Sequence, residues 1–592
     1  MFKNFNKYGL NFFRLMFEKH KIITSIWIVL TISMSVFPSI NVRLSKLSID
    51  SINKISQDNA FYQLSIEFLL LIALSTIISS ILSAITNLIY AKIKKDIVYI
   101  VQKRFYEKLS YISIEKFEDD TFYNKLLMAY GAINRNGTDI IKYFILVIQN
   151  ILTISGLFII LYSVHWSLSL GLFLSALPGT ILLFIGKTMR YKMDINNSQT
   201  NRYMSYTASM FMNKNALKEI KLFNIGGFLL EKWSVLYKII VKSDFKLLVK
   251  EERFKTYGVV LLQLSNFLIA VLLISRIQHN QITIGDYVSL IAAASSVQAS
   301  LGTIGAYLGQ IFEISLYNRA LLDILYKDID DKDDCRLESV NNIETIEIKN
   351  LTYKYPGTNR YAIKNINLSI NKGEKIAIVG DNGAGKTTLV NILLGYYSSY
   401  SGDIFVNNTD LKNITLESYI KQVSAILQDF IKYKYTLKEN VALGDISQIE
   451  NEAALKNVII VAGMGKKLNE FDKGINTVLS KEYEGGEELS GGEWQKVAIC
   501  RAMLKNTNII VLDEPTAALD PLAELEIFDL FNKVSKDKTT IMISHRLGIT
   551  RFADKIIVMK NGEIAEQGRH DDLMALEGIY KKMFLAQSNW YI

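Results

Sequence analysis

The sequence predicts a membrane protein in two parts: a six-helix all-α transmembrane domain with long cytoplasmic helical extensions, then a cytoplasmic α/β domain built around a phosphate-binding loop. Three observations carry that expectation. Six apolar runs precede residue 318, each long enough to cross a hydrocarbon core of about 30 Å, and a soluble core does not use so many. Behind them stands "EKIAIVGDNGAGKTTLVNILLG", in which an apolar strand meets a glycine-rich loop and then a helix. Charge divides at the same place. The 592-residue chain is +9 overall, but residues 1–345 hold 37 Lys and Arg against 27 Asp and Glu, whereas residues 346–592 hold 30 against 31. Basic chains usually point to nucleic acid. Here the basic part is also the apolar part, so the cations are expected to flank membrane spans and no nucleic-acid partner is expected.

The spans fall near residues 22–40, 64–89, 140–162, 168–185, 257–277 and 287–311. Before the first, "MFKNFNKYGLNFFRLMFEKHK" mixes basic and aromatic residues and reads as an amphipathic helix at the membrane interface. No small-residue cleavage site follows the first run, so a removable signal peptide is not expected. Segments 90–139 and 186–256 are rich in Lys and Arg, while the short connections "SVHWS" and "QHNQIT" have none, which places both termini in the cytoplasm. Ile93, Ile97, Val101, Phe105 and Leu109 recur every fourth residue, so the second span is expected to continue as a helix for about 30 Å beyond the bilayer. That stripe ends at "EKFEDDTFYNKL", where Asp119 or Asp120 can cap a new short helix starting at Thr121. A comparable break is expected at "ALKEIKLFNIGGF". Intramembrane Gln149, Asn150, Gln263, Asn266, Gln298 and Gln310 either line a cavity or tie helices together. Cys335 and Cys500 match no metal spacing and suggest no disulfide framework.

The transmembrane domain is taken as 1–317. An acidic linker follows over 318–344, and residues 345–592 alternate β-rich and helical runs as a mainly parallel α/β domain does. In its first strand–loop–helix, Gly380, Gly383 and Gly385 let the backbone curl so that N–H groups face a phosphate. Lys386 can reach outer phosphates and Thr387 can offer its hydroxyl to Mg²⁺. A second apolar strand, "NIIVLDEPTAALD", ends in Asp513, suited to a Mg²⁺ shell, and Glu514, suited to polarising an attacking water. A third, "TTIMISH", delivers His545 at its end. In "ELSGGEWQKVAICRAMLK", Ser490 precedes two glycines and an apolar helical run, the entrance of a helix and a second candidate for meeting an anion.

In this order and spacing, the phosphate-binding loop, "LSGGEWQ", "VLDEPTAALD" and "ISH" resemble the nucleotide-binding domain of an ABC transporter. With six preceding spans the whole chain resembles an exporter-type half-transporter. The resemblance implies an α/β P-loop ATPase that uses ATP and Mg²⁺. It implies ATP contacts from Tyr355, with Tyr353 as the fallback, and from Gly380, Asp381, Asn382, Gly383, Ala384, Gly385, Lys386, Thr387 and Thr388. Thr387, Gln428 and Asp513 would attend the metal, with Glu514 and His545 catalytic. Leu489, Ser490, Gly491, Gly492 and Glu493 would close over the ATP of a second subunit, and Asp520 would sit in the loop crossing the seam. A homodimer, or pairing with a paralogous half-transporter, is therefore expected. The segments Thr121–Leu126 and Lys221–Asn224 resemble helices that carry motion between the two parts.

Two departures stand out. "VLSKEYEGGEE" replaces the Thr-x-Val-Gly-Glu-like stretch common before the signature, and "GGEWQ" replaces "GGQRQ" or "GGERQ". The second variant is similar to bacterial bacteriocin, lantibiotic-type and small-peptide exporters, and with about twenty residues before the first span no N-terminal peptidase domain is expected. The resulting expectation is ATP-driven export of an amphipathic peptide or drug-like substrate by alternating access in the bacterial cytoplasmic membrane. Lipid or metal-chelate transport on the same architecture is the alternative, as is a membrane-anchored ATPase regulating a partner protein.

Overall fold

The structure is a computed structural model and describes residues 2–55, 58–134, 137–164, 181–182, 185–186, 188–190, 192–279, 281–326, 337–513, 521–544 and 546–588. It divides into two compact units, Met1–Tyr111 with Asn124–Ile329, and Ile112–Tyr123 with Asp330–Ile592.

The first unit is helical. Helix α1 (Phe2–Ser33) kinks at His20, whose φ of −137° leaves the helical range, and the Thr24 hydroxyl spans the break by donating to the Met16 carbonyl at 3.3 Å. The kink separates the amphipathic start, with Phe12 and Met16 buried, from the apolar run beyond. Helix α2 (Phe37–Ile52) then starts with Pro38 in its first turn, where a missing N–H costs nothing.

Helix α3 (Ala60–Tyr111) is 52 residues and therefore about 80 Å long. Over residues 66–88 its leucines and isoleucines are largely exposed, a surface suited to lipid. Further on, Ile93, Ile97, Val101 and Phe105 are buried as the fourfold spacing predicts, while Leu109 is half-buried. Asp139, itself buried, accepts from the Tyr90 hydroxyl at 2.6 Å and from the Lys94 ammonium at 2.9 Å. That ties α3 to the start of α5 (Ile140–Val164).

Asp119 does cap the next helix, accepting from the Thr121 amide at 2.8 Å. The helix, α4 (Asp120–Asn134), is longer than the short one expected over Thr121–Leu126, because Ala129, Ala132 and Ile133 are buried and carry it onward. Helix α6 (Ser198–Met212) is followed by α7 (Lys214–Leu222), capped by Asn213 through the amides of Asn215 and Ala216. The break expected in "ALKEIKLFNIGGF" is the turn Phe223–Ile225, where Asn224 takes φ +52°, and α8 (Gly226–Gln278) begins after it.

Five stretches among the described residues are long and apolar enough to cross a membrane: Phe12–Ile52, Ala60–Tyr111, Gly137–Tyr162, Gly226–Gln278 and Ile284–Tyr326. The fourth expected span, 168–185, lies almost wholly outside the described residues. The polar turn expected at Asn318 comes later. Helix α9 (Ile284–Tyr326) continues because Asn318, Leu321, Leu322 and Ile324 are buried, with the Asn318 amide donating to the Gly137 carbonyl at 2.8 Å.

Three of the intramembrane polar positions prove to be ties. Asn266 and Gln298 exchange hydrogen bonds through both side-chain amides, at 2.9 and 2.7 Å, and Thr303 donates to Asn150 at 3.0 Å. Gln310 instead lines a cavity of about 70 Å³ with Tyr143, Glu313 and Tyr317.

The second unit holds two sheets. Strands β1 (Thr345–Lys354), β2 (Tyr361–Asn371), β4 (Ser401–Val406) and β5 (Thr409–Asp410) form an antiparallel sheet in the order β2-β1-β4-β5. The other runs β10-β9-β3-β8-β7-β6, from β3 (Lys375–Gly380), β6 (Val423–Ile426), β7 (Ile509–Asp513), β8 (Thr539–Ile543), β9 (Lys555–Lys560) and β10 (Glu563–Gly568). Its central strands are parallel, and β3, β7 and β8 are buried almost throughout because both faces are covered. One large core joins the two sheets with helix α10 (Lys386–Leu393). A separate core gathers the helical part around Trp494, Val497, Phe471 and Leu437.

Candidate nucleotide site

Strand order brings the chemistry together. Ile378 of β3 and Asp513 of β7 are both in register with Ile543 of β8, and Leu512 with Ile426 of β6. The loop after β3, the carboxylate of Asp513 and the chain leading to Gln428 therefore leave the carboxyl ends of neighbouring parallel strands. At about 4.8 Å per strand, Asp513 sits about 10 Å across the sheet from the loop. Ligands of open α/β sheets bind along this edge.

A cavity of about 700 Å³ opens there, lined by Tyr355, Asn382, Gly383, Gly385, Lys386, Thr387, Thr388 and Gln428. Thr358, Arg360, Tyr361 and Ala362 complete its wall. The loop depends on glycine at two points. Gly383 takes φ +78°, and Gly385 takes φ +99° with a would-be Cβ only 2.6 Å from the Ala362 carbonyl oxygen. The cradle so formed fits a phosphate chain, with the N-terminus of α10 turned to it. Lys386 is buried and its ammonium donates to the loop's own carbonyls, Gly380 at 2.8 Å and Asp381 at 3.0 Å, which are replaceable by phosphate oxygens. Ala384 and Thr388 are buried beneath the loop, whereas Asp381, Asn382 and Thr387 are exposed. Thr387, Gln428 and Asp513 together offer hydroxyl, amide and carboxylate oxygens, a hard donor set that suits Mg²⁺.

Tyr355 and Tyr353 separate cleanly. Tyr355 lines the cavity and shares a 2.9 Å hydrogen bond with the Thr388 hydroxyl. Tyr353 is 1% exposed and turns into the core, which removes it as the alternative for meeting a base. Glu514, Asp520 and His545 lie outside the described residues. Arg360 is a cavity cation that sequence reasoning passed over. Its signal was there: an arginine in the turn "PGTNRY", directly between Tyr355 and β2.

The signature stretch forms the N-terminus of α12 (Gly491–Leu504), after α11 (Leu437–Ala442) of the same helical core. Ser490 accepts from the Glu493 amide at 3.3 Å while the Glu493 carboxylate accepts from the Ser490 amide at 2.7 Å, a reciprocal capping box. Ser490 and Gly491 are exposed, Gly492 and Glu493 half-buried, and Leu489 is anchored in the core. The hydroxyl proton of Ser490 thus remains available to an incoming anion. Trp494 is 2% exposed, so the unusual "GGEWQ" places an indole in the packing of the helical core rather than at the phosphate-facing end. In "VLSKEYEGGEE", Glu482 accepts from Lys434 at 2.6 and 2.7 Å, linking the stretch before the signature to the one after Gln428. Cys500 is a buried free thiol whose pKa burial pushes up to about 12, and Cys335 is outside the described residues.

Comparison with known proteins agrees with this geometry. The family model described as ABC transporter matches residues 363–517. The subtilin transport ATP-binding protein of Bacillus subtilis is 31% identical over 507 residues, 85% of this chain and 82% of that one. The nisin transport ATP-binding protein of Lactococcus lactis subsp. lactis is 31% identical over 525 residues, 86% of each. An ATP-dependent lipid A-core flippase of Syntrophus aciditrophicus is 38% identical over 267 residues, 44% of this chain and 42% of that protein. A solved bacterial Atm1-family ABC exporter with ATP bound shares the fold, with a TM-score of 0.78 at 20% identity over 96% of this chain and 99% of that one. The chain is thus a multi-pass membrane protein of the ABC transporter family, an exporter-type half-transporter that binds ATP and couples its hydrolysis to transport.

Proposed function

We propose that the protein exports an amphipathic peptide from the bacterial cytoplasm as a homodimer, with both termini and the nucleotide-binding unit on the cytoplasmic side. The observation that carries the peptide reading is the higher identity over nearly the full chain. The subtilin and nisin transport relatives are 31% identical over 85% and 86% of the chain, membrane spans included. A lipid A-core flippase of Aromatoleum aromaticum also matches over 85% of the chain, but at 26% identity against 31%, which ranks a lipid cargo second.

In this reading the adenine stacks on Tyr355, and the amides of Gly380–Thr388 with Lys386 hold the phosphates. Mg²⁺ held by Thr387, Gln428 and Asp513 would neutralise phosphate charge. Glu514 takes a proton from the attacking water, and His545 senses the terminal phosphate. Leu489, Ser490, Gly491, Gly492 and Glu493 of a second copy close over the same nucleotide, and Asp520 faces the seam. A helix entrance that stands exposed, with its hydroxyl proton free and a dipole suited to an anion, is the support for that assembly.

The test is Glu514→Gln in the purified full-length protein. It should abolish steady-state hydrolysis while ATP still drives dimer closure; unchanged hydrolysis removes Glu514 from the mechanism. Peptide-stimulated hydrolysis, and ATP-dependent uptake by inside-out vesicles alone, support peptide export. Uptake by right-side-out vesicles reverses the direction, and stimulation only by another protein favours a regulatory ATPase.

A further inference from the structure

Residues Ile112–Tyr123 pack with the second unit, although the chain on either side belongs to the first. Within this segment Glu115 is 6% exposed, an unusual depth for a carboxylate in a short connecting turn. All its visible partners lie in the nucleotide-binding unit. One oxygen accepts from the Tyr353 hydroxyl at 3.1 Å, and the other from the backbone amides of Ser398 and Ser399 at 3.2 and 3.3 Å. Burial and the Glu115 charge both push the Tyr353 phenol up, so it stays a donor at any physiological pH.

The Tyr353 ring leads back to the nucleotide. It stacks flat on Tyr397, with centroids 5.3 Å apart, and meets Tyr355 edge-on at 5.4 Å. Tyr397 meets Tyr355 edge-on at 5.7 Å, and its hydroxyl donates to Glu118 at 3.4 Å. Tyr355 is therefore walled by two rings whose own orientations are set by two carboxylates of the 112–123 segment. On its open side it lines the cavity, and its hydroxyl is bonded to Thr388 in the first turn of α10.

We propose that Glu115 is a positioning residue for ATP: by holding Tyr353 it fixes the Tyr355 edge of the nucleotide cavity, so that base occupancy and the seat of residues 112–123 bias one another. The inference rests on the reading that Tyr355 meets the adenine. It supplies a line of communication that enters the membrane helices by chain continuity, since α3 ends at Tyr111. The reciprocity is thermodynamic. Whatever the seated segment contributes to base binding, base binding contributes to seating the segment.

The experiment measures KM and kcat for ATP on the full-length protein in lipid nanodiscs, for wild type, Glu115→Gln, Glu115→Asp, Tyr353→Phe and the Gln/Phe double variant. Glu115→Gln and Tyr353→Phe should each raise KM about 3- to 10-fold with kcat within about 2-fold, the scale of one charge-assisted hydrogen bond spent on preorganisation. The double variant should be no worse than the more affected single, because both remove one interaction, and Glu115→Asp should fall between wild type and Glu115→Gln. Should Glu115→Gln fail to fold, Tyr353→Phe still carries the test, since it keeps the ring and removes only the hydroxyl. An unmoved KM with a lowered unfolding temperature, or losses that multiply in the double variant, overturns the proposal. Tyr355→Ala separates the two readings. If it raises KM while Tyr353→Phe does not, only the relay falls; if it leaves KM unchanged, the adenine-edge reading falls and the relay with it.

Discussion

The reciprocal pair Asn266–Gln298 decides whether the polar residues of the spans hold helices or cargo. Gln298 is 7% exposed, and its amide both donates to Asn266 at 2.7 Å and accepts from it at 2.9 Å. Asn266→Leu or Gln298→Met alone keeps most of the volume but takes the reciprocal partner from the other amide, leaving Gln298 only a 3.5 Å contact to the Ser265 hydroxyl in the first case. Two hydrogen bonds of this kind contribute about 0.6 kcal/mol each in membrane proteins, rising to about 1.7, and an orphaned amide adds a desolvation cost of about 1–3 kcal/mol. Each single variant should therefore lose about 1–3 kcal/mol. Replacing both amides removes the orphan, so the double variant should lose less than the sum by about 1–2 kcal/mol. The assay is the half-inactivation temperature of nucleotide hydrolysis in nanodiscs, compared across the four proteins. Additive losses, or neutral single variants that abolish stimulation by peptide, would refute the tie and return both side chains to a cargo-lining role.

Three further outcomes follow from the second unit. Gly385→Ala forces a side chain into left-handed backbone, at about 1–2 kcal/mol, and into the Ala362 carbonyl at 2.6 Å, so nucleotide binding should fall at least tenfold while the fold survives; titration with a fluorescent ATP analogue checks it. Ser490→Ala should cost about 1 kcal/mol of stability as a lost cap, and Ser490→Gly only a few tenths, yet both should depress hydrolysis alike if the hydroxyl meets the phosphate; a difference in hydrolysis that follows stability instead would leave Ser490 as a cap alone. His570, whose ring nitrogen lies 2.8 Å from the Tyr580 hydroxyl, is held below its ordinary 6.5 by burial and by Arg551. Unfolding then takes up a proton as pH falls below about 6.5, so stability should drop on acidification, and His570→Phe should flatten that slope in melts between pH 5 and 8.

Much of this was legible from the chain. Fourfold recurrence of Ile93, Ile97, Val101 and Phe105 announced a helix continuing past the bilayer, because one buried stripe is the only arrangement that spacing supports. Glycine at 383 and 385 with Lys386 announced the cradle, since positive φ and close backbone approach leave few other residues usable. Less local matters were not legible. Nothing in "DDTFYNKL" tells that α4 continues to Asn134, because the buried Ala129 and Ile133 that accompany its extension lie beyond that stretch. Equally, Tyr353 and Tyr355 look interchangeable in "LTYKYPG"; strand alternation places them on one face, and a register shift between Tyr353 and Lys354 in the β1–β2 pairing accompanies their divergence. Glu115 gave no signal at all in a stretch crowded with acids, since its burial depends on tyrosines more than two hundred positions away.

Arg501 shows how the scattered motifs become one machine part. Its guanidinium donates to the Asn440 carbonyl at 2.9 Å, to the Asn440 side-chain oxygen at 2.7 Å and to the Ile431 carbonyl at 3.0 Å, and it lies over the Tyr433 ring at 5.0 Å. These partners belong to α11 and to the stretch just beyond Gln428, while Arg501 itself rides on α12, whose first turn is the signature. A planar fork with fixed donor directions resists shear in a way a flexible ammonium cannot. Gly444 adds a steric lock, because any Cβ there would collide with the Arg501 backbone. Helix α12, which carries the signature, and the segment beyond Gln428 are therefore tied by a fork and a close backbone contact that resist their separation. If Gln428 attends the metal and Ser490 meets a second subunit's nucleotide, as proposed, the Arg501 fork and the close approach at Gly444 link the segment that meets one nucleotide to the element offered to the other.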